Sequence, residues 1–65
     1  MKISIRAARV NAEMRINEAA EKLGVATSTL SSYENGITKP RFDVLEKMSV
    51  LYDIPVENLR VNKEG

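Results

Sequence analysis

Neither cysteine nor histidine occurs among the 65 residues of the chain. Without cysteine, no disulfide or thiolate metal site can staple so short a fold. Without histidine, the commonest metal ligand and general base is missing as well. A catalyst made from what remains would need paired carboxylates in a cleft. A domain of this size offers little cleft and no evident ligand pocket, so an enzyme is rejected and no cofactor or metal is expected. No apolar run approaches the roughly 18 residues of a membrane span, and no signal-peptide pattern precedes the domain. The expectation is a soluble, cytoplasmic protein. An excess of one charge is lacking too, because ten basic residues face nine acidic ones for a net charge of +1. That balance neither supports nor excludes a nucleic-acid partner, which leaves local arrangement to decide.

What is present is helical periodicity punctuated by glycine. No repeat, low-complexity tract or linker divides the chain, so residues 1–65 read as one domain, with a core over about 4–60 and a frayed tail over about 61–65. A first helix is expected from about Ser4 to Ala12, with Ile5, Ala8 and Ala12 on one face. A second runs from about Ile16 to Leu23, turning Ala19, Ala20 and Leu23 inward and stopping at Gly24. A third covers about Thr27 to Asn35 around an inward Leu30 and ends at a left-handed Gly36. Its N-cap, Ala26, has no capping side chain, which leaves Thr27 or Ser28 to meet the open amides. After Pro40 a fourth helix, about Arg41 to Tyr52, carries an apolar stripe of Val44, Leu45, Met48, Leu51 and Tyr52. A fifth, short helix begins near Pro55 and returns Val56 and Leu59 to the core. The fold class is therefore all-α.

Two brief helices joined by a tight glycine-containing turn make a helix-turn-helix, whose second helix is the element that enters a DNA groove. The run Glu18-Ala19-Ala20-Glu21-Lys22-Leu23-Gly24-Val25, followed by Ser28-Thr29-Leu30-Ser31-Ser32-Tyr33-Glu34-Asn35-Gly36, resembles the phage repressor/Cro-type helix-turn-helix family. Lys39-Pro40-Arg41 and the stretch from Tyr52 to Leu59 are also similar to it, so the resemblance covers about Ile5 to Leu59. It implies a compact five-helix lambda-repressor-like DNA-binding domain that docks its third helix in the major groove of double-stranded DNA. In that docking Thr27, Ser28 and Ser32 would face the bases, since Ser32 lies one helical turn beyond Ser28. Their hydroxyls and the threonine methyl can contact base edges but cannot form the bidentate pairs of Arg, Asn or Gln. Readout would then lean on water, methyl contacts and DNA shape.

Backbone phosphates would fall to Thr29, Thr38, Lys39, Arg41 and Arg15, with Lys2 and Arg6 as weaker candidates. Between Asn35 and Phe42 the chain has Lys39 and Arg41 and no acid. Arg41 has a competing role as a surface residue in the first turn of the fourth helix, and both stay open. The resemblance also sets Arg9 beside Glu34 as a partly buried ion pair that ties the recognition helix to the scaffold.

The chain departs from the family's pattern at two places. Arg15 and Ile16 stand where a small cap and a glutamine are usual, so an amide contact to phosphate is lost, although Arg15 can still reach one as a charge. Asn17 is an alternative cap for a helix that begins later. Glu13 replaces a glycine at the end of the first helix, which leaves either a turn of different build or a helix that runs on. The function expected is a sequence-specific transcriptional regulator, a repressor that binds a palindromic operator as a homodimer. Ile54, Val56, Leu59 and Val61 would supply its symmetric contact. The alternative is a protein-interaction module on the same fold, such as an antitoxin or accessory factor with a protein partner.

Overall fold

The computed structural model describes residues 2–61. Helices α1 (Ile5–Asn11), α2 (Ile16–Leu23), α3 (Thr27–Glu34) and α4 (Phe42–Tyr52) follow one another along the chain. Strands β1 (Ile3–Ser4) and β2 (Leu59–Arg60) flank them and pair in parallel, Ile3 opposite Leu59 and Ser4 opposite Arg60. Each helix contributes part of one apolar centre: Ile5 and Ala8 from α1, Ala19, Ala20 and Leu23 from α2, Leu30 from α3, and Val44, Met48 and Tyr52 from α4. Leu59 completes it from β2.

The fifth helix is not formed. After Pro55 the chain makes a single 3₁₀ turn, Val56–Asn58, closed by the Asn58 amide on the Pro55 carbonyl at 2.9 Å. Leu59 then turns extended to pair with β1. Three residues cannot offset the cost of nucleating an α-helix, whereas the extended form gives Arg60 and Leu59 backbone partners. Arg60 is therefore part of a strand, and the expected tail from 62 onward lies outside the described residues.

All four α-helices stop in one hydrogen-bonded pattern, with a left-handed residue just past the end and a six-to-one bond spanning it. The spanning bonds are Met14 to Arg9 (3.3 Å), Val25 to Ala20 (3.0 Å), Ile37 to Ser32 (2.9 Å) and Ile54 to Ser49 (3.0 Å), each amide to carbonyl. The left-handed residues are Glu13 (φ 61), Gly24 (φ 78), Gly36 (φ 78) and Asp53 (φ 58). Thus α1 does not run on past Glu13. The glutamate takes the conformation a glycine would take, at a steric cost of about 1–2 kcal/mol. Glu13→Gly is expected to relieve most of that strain and to stabilise the domain by about 0.5–1 kcal/mol after the greater freedom of unfolded glycine is subtracted. Urea titrations of the two proteins would measure it, and a destabilised variant would refute it. Asp53→Gly should gain less, because aspartate tolerates this conformation better.

Candidate nucleic-acid interface

The α2–turn–α3 unit is built on small side chains and a glycine stop. Ala19 and Ala20 are buried, which lets α3 approach α2 closely, and Leu30 of α3 fills the angle between them at 0 % exposure. A Cβ at Gly24 would meet nothing within 4 Å, so the residue serves the φ of 78° and not a close approach. α2 begins at Ile16 with Arg15 as an uncapped N-cap residue, which places Asn17 inside the first turn and removes it as a cap. Ala26 opens α3 without a side-chain cap, and neither Thr27 nor Ser28 supplies one.

The opposite face of α3 is hydroxylic. Thr27 and Ser28 are exposed, and Thr29, Ser31 and Ser32 are half-buried. Ser28, Thr29, Ser32, Tyr33, Thr38, Lys39 and Arg41 together line a shallow hollow of about 350 Å³ with two cations and no acid. The fold thus gathers two of the three expected base-facing residues with four of the five expected backbone-facing ones. Thr27 stays exposed at the start of α3 and Arg15 at the start of α2, both outside the hollow. Tyr33 is the member that the sequence reading passed over. Its place follows from the i, i+4 step beyond Thr29.

Behind this face α3 is fastened by charge. Arg9 donates from Nε to Glu34 Oε2 at 2.7 Å and from Nη2 to Oε1 at 3.1 Å, while its Nη1 reaches the Met14 carbonyl at 2.9 Å. The Glu34 side chain is 1 % exposed and that of Arg9 13 %. The hydrogen bond to Glu34 raises the Arg9 pKa, with burial opposing it. Arg6 joins the cluster at 3.5 Å from Glu34 Oε1 and donates from Nη2 to Asn35 Oδ1 at 2.9 Å. This makes Arg6 a second support of the α3 terminus, legible in hindsight from its position one turn before Arg9 on the same helix face.

Tyr52 closes the cluster from α4. Its hydroxyl is buried without a hydrogen-bond partner among the described residues. Burial, then the nearby Glu34 charge, pushes its pKa up to about 12 from 10.0. The folded state favours the neutral phenol, so its stability is whole below pH 10 and falls as pH rises through 12. The loss should amount to about 2 kcal/mol, and Tyr52→Phe should escape it. Alkaline thermal melts of both proteins test this, and identical decline would remove Tyr52 from the account.

The helix-turn-helix family matches residues 5–59, from the first residue of α1 through the first of β2. The chain belongs to the phage repressor/Cro-type helix-turn-helix family. Over 60 residues it is 32 % identical to a cryptic phage CTXphi transcriptional repressor, RstR, of Vibrio cholerae, an alignment covering 92 % of this chain and 54 % of that one. It is 44 % identical over 50 residues to the transcriptional regulator SinR of Bacillus licheniformis (75 % and 45 % covered). With ImmR of Bacillus subtilis, another transcriptional regulator, it shares 38 % over 55 residues (85 % and 43 %). The chain spans about half the length of these curated relatives. No solved structure matches it. The regulators among its relatives do not favour the protein-interaction alternative. No helix among the described residues is long and apolar enough to cross a membrane.

Proposed function

We propose that this chain is the DNA-reading domain of a transcriptional repressor that grips a palindromic operator as a homodimer. One α3 would enter the major groove of each half-site, the two about 34 Å apart. The observation that carries this reading is the hollow in which Ser28 and Ser32 meet Thr38, Lys39 and Arg41 beside the exposed first turn of a firmly fastened α3. Thr27, Ser28 and Ser32 would address base edges with hydroxyl and methyl groups, while Thr29, Thr38, Lys39, Arg41 and the outlying Arg15 would take phosphates. The naming of the family relatives as repressors and regulators supports the same reading.

A helix of eight residues covers few base pairs, so useful specificity needs two copies. Leu59 is buried in the core and Ile54 and Val56 pack against it, which leaves little of the expected C-terminal contact surface. The exposed side of α4 fits a two-fold contact better. There Val50 and Leu51 are bordered by Asp43, Glu46, Lys47 and the neighbouring Lys22, two acids and two bases that can pair crosswise between copies.

Selection from a randomised duplex library tests the proposal. It should enrich a palindrome bound by two chains, with affinity falling steeply in salt. Ser28→Ala should change sequence preference at one position of each half-site, at about 1 kcal/mol or less for so weak a contact. Lys39→Ala should weaken all duplexes alike and lower the salt slope by about 1. The absence of any enriched sequence at low salt would end this reading.

A further inference from the structure

A second and larger hollow, of about 640 Å³, shares Lys39 with the one beneath α3. Lys2, Lys39 and Arg60 edge it, Leu45, Leu59 and Val61 supply apolar lining, and no acid lines it. The three cations come from the start, the middle and the end of the domain. The β1–β2 pairing brings two of them together, since Ile3 lies opposite Leu59 and Ser4 opposite Arg60, which sets Lys2 just outside the pair. All three are exposed, and among the described residues none makes an ion pair.

Gathering like charges costs free energy unless an anion offsets it, and the apolar lining gives their aliphatic stems a surface while the heads stay in water. Because Lys39 belongs to both hollows, the cations form a continuous track from Arg41 through Lys39 to Lys2 and Arg60. A duplex presents a matching line of charge, one phosphate per roughly 3.4 Å of axis on each strand. We infer that Lys2 and Arg60 form a second phosphate grip, holding the DNA backbone beyond the base pairs that α3 reads. The clasp that closes the fold is then also a DNA-contacting element. This rests on the DNA-binding reading above and adds to it a flanking contact.

The full chain and a Lys2→Gln/Arg60→Gln double variant, both checked for helical circular dichroism, are titrated with the selected duplex across a salt series. The double variant should bind every sequence several-fold more weakly at low salt, with unchanged preference and a salt slope smaller by about 2, near 0.9 for each lost contact. Lys2→Arg with Arg60→Lys should restore the slope, and Lys22→Gln with Lys47→Gln, away from the track, should leave it alone. Trimming the duplex back to the half-sites should abolish the difference between wild type and double variant. A wild type that binds duplex with a slope the double variant does not change overturns the grip and spares the DNA-binding reading. A wild type that binds no duplex overturns both. Inorganic phosphate shifting the Lys2 and Arg60 resonances, with the duplex slope unchanged, would make the hollow a free-anion site and equally refute the inference.

Discussion

Arg9→Ala is expected to cost about 3–5 kcal/mol and to leave the domain without a cooperative melt at room temperature. Glu34 is the reason. Its carboxylate is almost sealed from solvent, and two of its short hydrogen bonds come from Arg9 alone. Once the guanidinium is gone, the nearest cation is Arg6 at 3.5 Å, on a side chain that is 57 % exposed and so shares its charge with water. The Met14 carbonyl, which accepts from Arg9, loses its side-chain donor at the same moment. A domain of 65 residues with no covalent cross-link has few kcal/mol in hand. The pair itself contributes less than its rupture costs, because both charges left water to form it. Arg9→Met combined with Glu34→Leu should therefore be more stable than Arg9→Ala, although it removes more native contacts. Circular-dichroism melts of the three proteins decide the matter. A loss below about 1 kcal/mol for Arg9→Ala would mean that Glu34 is hydrated in solution.

Leu30→Ala should cost a comparable amount, about 3–5 kcal/mol, and should loosen one helix more than the rest. α3 is made of hydroxyl-bearing residues, and its buried side chains are only Leu30 and Glu34. Leu30 at 0 % exposure faces Ala19 and Ala20, which are too small to collapse into the space it would vacate. The cavity would persist directly behind Ser28 and Ser32. Amide exchange should rise first along α3, while α1 keeps Ile5 and Ala8 in place. Uniform acceleration over the whole chain would show instead that the domain opens only as one unit. Because Arg9 and Leu30 fasten the same helix, their combined loss should fall short of the sum of the single losses.

The sequence was most legible where apolar spacing and stop residues agreed. Ile16 to Leu23 was readable to the residue, since alanines and leucine mark one face and Gly24 ends it. The third helix closes one residue earlier than expected, at Glu34, and the fourth opens one later, at Phe42. The end of the chain was misread because Pro55 is a good helix start. The pairing that competes with a helix there depends on Ile3, at the far end of the sequence, and no local pattern announces it. Glu13 was a conflict between residue type and required backbone that spacing could not resolve, and the bonds closing α1 decided it. For the site, hydroxyls and cations could be assigned to α3 and its following loop, but not their grouping. That Lys39 adjoins two hollows, and that Arg6 serves Glu34, follow from packing angles between helices that the sequence does not encode locally.

The β1–β2 clasp has a consequence for how the domain comes into being. Ile3 is among the first residues to leave a ribosome and Leu59 is among the last of the folded unit, yet each is the other's partner. A nascent chain can form the local α2–α3 hairpin early, because those contacts close over a short loop. α1 must wait, holding Ile5 without the neighbouring Leu59, until the final strand emerges. Translation order and closure order therefore run in opposite senses. A message truncated before Leu59 would yield a protein that contains the whole reading helix but has not closed around it.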